Sequence, residues 1–124
     1  MTGDRVPFDW CDYLEIARYL NQGPPPALAE AAGRCAVSRA YYASFGHARR
    51  YASRYLGFRP LFRAKDHELL AVHLRQRGMD DVADELEALR LWRNECDYDD
   101  TVGALSLLVT NAIEGADRVL LALR

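Results

Sequence analysis

The most informative chemical group in this sequence is the guanidinium of Arg93, because its position predicts burial. On a helical wheel it falls within an apolar stripe formed by Val82, Leu86, Leu89 and Cys96. A guanidinium keeps its charge at physiological pH, so its burial requires a partner. Asp97 stands four residues further on, a spacing that brings two side chains together on a helix. The pair is either a structural ion pair, which the spacing favours, or part of a cleft shared at a self-association seam.

The three histidines, His47, His67 and His73, are the next candidates for chemistry. None has metal-ligand spacing with another His, Cys or acid, and the sequence has no Glu-x-x-His pair for a di-iron site. Glycine-rich phosphate loops and the Gly-x-Ser-x-Gly elbow of hydrolases are also absent. We therefore expect no metal ion and no cofactor. His67 follows the expected N-cap of a helix, which favours a surface or capping role.

Positive charge is concentrated in one part of the chain. Residues 31–65 hold eight Arg and Lys and no acid, whereas residues 66–100 hold eleven acids against four arginines. One face of the expected second helix carries Arg39, His47, Arg50 and Arg54. Such a face contacts phosphate in some proteins and is only solvated in others. The segregation fits a nucleic-acid surface, a basic helix packed beside an acidic one, or self-association.

Length and composition indicate one soluble domain over residues 1–124. The chain has 124 residues, of which 50% are hydrophobic and 27% charged. No uninterrupted apolar stretch reaches the roughly 18 residues of a membrane span, so we expect no membrane association. The amino terminus lacks a basic segment followed by an apolar one, so no secretory signal is expected. The three cysteines are widely spaced and odd in number, which favours reduced thiols and a cytoplasmic location.

The elements that position these side chains are all predicted to be helical. Apolar residues recur at intervals of three and four, and no strand-like alternation is visible. Helix breakers at Gly23–Pro26, Gly57–Lys65 and Gly78 separate the periodic stretches, and Asp66 is the expected N-cap of the third helix. The sequence predicts an all-α, five-helix up-and-down bundle with a long second helix. The expected helices cover Phe8–Asn21, Ala27–Leu56, Asp66–Arg77, Asp80–Asn94 and Val102–Leu123.

Two segments together resemble the HEPN domain family of prokaryotes. One is SRAYYASF at residues 38–45, and the other is LRLWRNECDY at residues 89–98. The five-helix order and the long second helix fit as well, so the resemblance covers nearly the whole chain. It implies a bundle that dimerises across the helices bearing the motif. Many members are metal-independent ribonucleases, often toxins of toxin-antitoxin modules, and others are encoded beside a minimal nucleotidyltransferase.

The chain departs from the family where catalysis is concerned. In catalytic members, four to six residues separate the arginine from a histidine, and Asn often stands directly after the arginine. Arg93 and Asn94 match the start, but Tyr98 stands at the histidine position and no histidine follows. The pair Asp97–Tyr98 resembles a branch of the family that carries Asp-Tyr at this place in the motif. Tyrosine, with a reference pKa near 10, moves protons poorly at neutral pH.

Two functions therefore stay open. The first, which the missing histidine favours, is a non-catalytic or regulatory homodimer that acts with a minimal nucleotidyltransferase or a similar partner. The second is a metal-independent endoribonuclease with an atypical site made of Arg93, Asn94 and Tyr98, in which Asp97 orients the arginine. RNA would then contact the basic face that carries Arg39, His47, Arg50 and Arg54.

Overall fold

Glycine- and proline-rich turns divide the chain into helices. A computed structural model describes residues 6–124, and these contain five α-helices and no strand. Gly57 and Gly78 adopt positive φ angles of 72° and 76° directly after two of the helices, a conformation that glycine adopts without strain. The predicted all-α class with five helices is confirmed. The helices are α1 (Cys11–Leu20), α2 (Ala29–Tyr55), α3 (Asp66–Gln76), α4 (Asp80–Tyr98) and α5 (Leu105–Ala122).

The long helix α2 is the centre of the bundle and contacts each of the other four helices. Its 27 residues give a length of about 40 Å. Alanines line its buried side and let neighbouring helices approach closely; Ala36, Ala40, Ala43 and Ala48 are fully buried. The other residues that a helical wheel places on this side are also buried, except Tyr55, which is exposed; the buried ones are Val37, Tyr41, Ser44, Phe45 and Ala52.

Helix α4 is longer than the sequence predicted, because it continues past Asn94 to Tyr98. Asp97 and Tyr98 were expected in a polar break but belong to the last helical turn. Arg34 of α2 explains the extension: its guanidinium donates to the carbonyl oxygens of Cys96, Asp99 and Asp100 at 3.2, 2.6 and 3.2 Å. Such donors satisfy carbonyl groups that a helix C-terminus otherwise leaves unpaired. Because Arg34 lies 62 residues from Cys96 in the sequence, no local pattern predicts that α4 extends to Tyr98.

Asp66 is not the N-cap that the sequence predicted. It is the first residue of α3, Lys65 occupies the cap position, and no side chain caps this end. The Asp66 carboxylate is fully buried and accepts hydrogen bonds from the backbone N–H groups of Leu61 and Phe62, both at 2.9 Å. Asp66 therefore holds the loop before α3 in place.

Three smaller differences concern the other helix ends. Helix α1 begins at Cys11 rather than Phe8, and Asp9 accepts a hydrogen bond from the Cys11 N–H at 2.9 Å. A short 3₁₀ turn over Pro26–Leu28 precedes α2, and α5 begins at Leu105 rather than Val102. Over residues 6–124, no helix combines the length and the apolar character needed to cross a membrane.

Candidate functional site

Arg93 is buried on the inner stripe of α4, as its spacing predicted. The residue is 8% exposed and lies against two tyrosines of α2. Its Cζ atom is 5.3 Å from the ring centroids of both Tyr41 and Tyr42, and its Nη1 donates to the Tyr42 hydroxyl at 3.2 Å. The expected partner, Asp97, lies at 4.0 Å from the same nitrogen and also accepts a hydrogen bond from Ser38 at 3.3 Å. The Tyr42 hydroxyl is thus the closest partner of the buried charge, and both tyrosine rings lie within cation–π distance of it.

His67 belongs to this cluster, contrary to the surface or capping role expected for it. Its ring stacks on Phe45 with centroids 4.2 Å apart and on Tyr41 at 5.5 Å, and its Nδ1 is hydrogen-bonded to the Tyr41 hydroxyl. Arg90 and Arg93 of α4 lie near enough to influence its charge. We call Tyr41, Tyr42, His67, Arg90 and Arg93 the arginine–tyrosine–histidine cluster.

The protonation states within this cluster follow from its burial. Burial first, and then the charges of Arg90 and Arg93, lower the pKa of His67 to about 4, so the ring is neutral at pH 7. Burial also raises the pKa of the Tyr41 phenol, which therefore keeps its proton. The phenol can donate that proton to Nδ1 of His67, which leaves the ring proton on Nε2. In this tautomer His67 presents an N–H donor at Nε2; in the other tautomer Nδ1–H donates to the phenol oxygen and Nε2 is an acceptor.

Among the proposed catalytic residues, the structure brings Arg93 and Asp97 together, with the guanidinium 4.0 Å from the carboxylate. Arg93 is buried against the tyrosines, whereas Tyr98, on the same helix, is 73% exposed. Asn94 is half-buried on α4, and no side-chain hydrogen bond links it to Arg93 or Tyr98 in the described part of the chain. Among the described residues, the groups near Arg93 that can act as bases are the Asp97 carboxylate, 4.0 Å from Nη1, and the neutral His67.

A strip of arginines and aromatic rings leads from the surface of α2 to the cluster. Two pockets of about 260 and 430 Å³ adjoin one another and share Trp10, Arg49 and Phe62 in their walls. Among the described residues, no acidic side chain lines either pocket. We call this strip the arginine–aromatic track; its members are Trp10, Tyr42, Phe45, Arg49, Arg50, Arg54, Phe62, Arg63 and His67.

Arg49 is the central residue of the track. Its Cζ atom is 5.7 Å from the ring centroid of Trp10, 5.2 Å from Phe45 and 5.1 Å from Phe62. Phe62 is 73% exposed and has a positive φ of 57°, a backbone conformation that is costly for an aromatic residue. The buried Asp66 stabilises this conformation by accepting the Phe62 N–H. The loop thus presents an aromatic ring to solvent beside an arginine.

The predicted basic face is only partly brought together. Arg50 and Arg54 line one pocket of the track. Arg39 instead lies over Tyr13 at 4.9 Å and lines a different pocket, near Asp97. The Nε2–H of His47 donates to the Leu123 carbonyl at 2.7 Å, so this histidine links α2 to the end of α5.

Sequence reasoning missed the residues that complete the track. Trp10 precedes α1, and Phe62 and Arg63 lie in the loop before α3, so only the folded chain brings them beside Arg49. The one available signal was the alternation of aromatic and basic residues in the segment from Phe58 to Lys65.

The described residues include no group of three or more His, Cys, Asp or Glu arranged to hold a metal ion. No protein-family model, curated protein or solved structure matches the chain. The geometry of the site is therefore the basis for the functional argument.

Proposed function

We propose that this protein is an HEPN-like helical protein that binds single-stranded RNA along the arginine–aromatic track and acts by binding rather than by cleavage. The observation that carries the proposal is Arg49 among three aromatic rings, Trp10, Phe45 and Phe62. Single-strand binders combine positive charge, which follows the phosphates, with exposed rings on which bases stack. The track supplies both in one strip, since Phe62 is exposed and Trp10 is half-buried, whereas Phe45 is buried.

The cluster at the end of the track favours binding over cleavage. Cleavage through the RNA 2′-hydroxyl needs a group that takes up a proton near neutral pH. His67 is neutral, and in the tautomer whose Nδ1 accepts from Tyr41 its Nε2 serves as a donor to an acceptor on the ligand. This agrees with the missing histidine after Arg93.

The homodimer, the minimal nucleotidyltransferase partner and the toxin-antitoxin context are further parts of the proposal, and they rest on the resemblance to the HEPN family. Exposed apolar side chains on α4 beside the motif support a dimer contact there: Leu91 is 65% exposed and Tyr98 is 73% exposed. A regulatory protein of this kind would bring bound RNA to its partner.

The test is binding of a fluorescein-labelled ten-nucleotide oligouridylate, followed by fluorescence anisotropy at low salt. Arg49→Ala should weaken binding about tenfold, because both the charge and the ordering of three rings are lost. Arg118→Ala is the matched control, since Arg118 is 60% exposed and pairs with Glu85 on another face. Absence of binding by the wild-type protein, or equal effects of the two substitutions, would contradict the proposal.

A metal-independent endoribonuclease is the second candidate, and one observation favours it: a histidine lies beside two arginines. Arginine can stabilise the charge of a phosphorane, and transient opening of the Tyr41 hydrogen bond would free Nδ1 to accept a proton. The test is incubation of total RNA with the protein in EDTA. Fragmentation that is lost in His67→Gln would establish the enzyme, and intact RNA under conditions where the oligonucleotide binds would exclude it.

A further inference from the structure

A third pocket opens where the track reaches His67. It has a volume of about 260 Å³ and shares Phe45 and His67 with the track. Its floor is apolar, formed by side chains of α3 and α4 that include Ala71 and Leu86. Its polar groups are Tyr41, His67, Glu68, Glu87 and Arg90.

Arg90 is the donor in this pocket that lacks a partner. Within residues 6–124 its guanidinium makes no ion pair and no hydrogen bond, and its Nε is buried without an acceptor. A buried donor left unpaired costs free energy that a ligand acceptor would recover. In the tautomer whose Nδ1 accepts from the Tyr41 hydroxyl, the Nε2–H of His67 is a second donor of the same pocket.

The pocket has two carboxylates, those of Glu68 and Glu87, and each can accept further hydrogen bonds. Glu68 uses its Oε2 to pair with Lys65 at 2.9 Å, and Glu87 uses its Oε1 to pair with Arg75 at 3.0 Å. The other oxygen of each makes no hydrogen bond to the described residues. Two carboxylates repel a phosphate, so this pocket suits a nucleobase better than the RNA backbone.

We infer that the pocket receives one base of the bound strand and that this base is guanine. Guanine offers two acceptors on one edge, O6 and N7, which an arginine such as Arg90 can bind in bidentate fashion. It also offers donors at N1 and N2 on its Watson–Crick edge, which a carboxylate such as that of Glu87 accepts. On the edge where guanine carries O6 and N7, adenine has one acceptor beside one donor. Uracil has a single N–H donor. Each of these bases therefore pairs with fewer donors and acceptors of the pocket than guanine does.

The inference rests on the proposed function, and its test compares ten-nucleotide strands that differ at one position. Oligouridylate carrying a single central guanosine should bind about tenfold more tightly than the same strand with adenosine or uridine there. Replacement of the guanine by 7-deazaguanine or hypoxanthine, each lacking one recognised group, should remove part of that gain in the wild-type protein. All of these comparisons between strands use the wild-type protein.

Variants assign the preference to the pocket. Glu87→Gln should reduce the guanosine preference and leave binding of pure oligouridylate unchanged. Arg90→Gln should reduce the ratio of its affinity for the guanosine strand to its affinity for pure oligouridylate. Glu85→Gln is the matched control, because Glu85 lies on the same helix but pairs with Arg118 outside the pocket. Equal affinity for all strands, with binding that still depends on Arg49, would overturn the guanine pocket alone. Failure of every strand to bind would overturn the proposed function and this inference with it.

Discussion

At the scale of single residues, the buried charge of Arg93 is stabilised by two tyrosine rings together with a hydroxyl and a carboxylate. Two tyrosine rings at 5.3 Å and one hydroxyl at 3.2 Å surround the guanidinium, while the nearest carboxylate lies at 4.0 Å. A desolvated cation over a ring gains about 2 kcal/mol or more. The sequence predicted the burial from the apolar stripe of α4, but not the rings, because these belong to another helix.

Arg93→Ala should lower the free energy of unfolding by about 2–3 kcal/mol, since it removes both cation–π contacts and leaves a cavity. Urea unfolding followed by circular dichroism measures the effect. Arg118→Ala, an exposed arginine, should cost less than about 1 kcal/mol. Unchanged stability of Arg93→Ala would show that the arginine is not structural.

His67 makes stability depend on pH in a definite direction. Its pKa is about 4 in the folded chain against an ordinary value of 6.5, so the unfolded chain binds a proton that the folded chain does not. The contribution of His67 is therefore fully present above pH 6.5 and falls as the pH drops towards 4. Urea midpoints measured at pH 7 and pH 5 should differ by less in His67→Gln than in the wild-type protein. The same difference in both proteins would contradict this assignment.

At the scale of elements, the contact of the segment before α1 with α2 depends on Gly46. A Cβ atom at this position would lie 2.1 Å from Cδ2 of Trp10. The glycine therefore lets the indole pack against the α2 backbone, and this packing places Trp10 in the track. The sequence identified an internal glycine in a long helix, but the ring that requires it is 36 positions away.

Gly46→Ala should destabilise the protein by about 2 kcal/mol and displace Trp10, because the indole is too bulky to be accommodated beside a methyl group. Gly103→Ala is the control, since no atom lies within 4 Å of its added Cβ and the change should be nearly neutral. Thermal unfolding and tryptophan emission report the two effects. A stable Gly46→Ala with unchanged emission would mean that Trp10 does not pack here.

At the scale of the whole molecule, the fold could be predicted from local periodicity and the site only in part. Five helices follow from apolar spacing and breakers, both of which are local. The end of α4 depends on Arg34, which lies 65 positions from Asp99 in the sequence. The loop before α3 depends on Asp66, whose hydrogen bonds are local but whose burial depends on the fold. The track likewise joins residues from α2, the segment before α1 and the loop before α3, so no single stretch of sequence reveals it.

The basic stretch and the acidic stretch of the sequence have different surroundings in the fold. Arg49, Arg50, Arg54 and Arg63 of the basic stretch line the track. Several acids of the following stretch pair with arginines instead, as in the contacts of Arg75 with Asp84 and Glu87. The positive charge of the track therefore remains available to a ligand.

The most direct test of RNA binding along the track uses Trp10 as the reporter. Trp92→Phe leaves Trp10 as the single tryptophan, and titration with oligouridylate should quench its emission as a base stacks on the indole. If four arginines contact phosphates, raising the salt from 50 to 200 mM should weaken binding roughly 50-fold. Trp10→Phe, which keeps Trp92, should show no quenching. Trp10 emission that stays constant while RNA binds would place the RNA elsewhere and contradict the account.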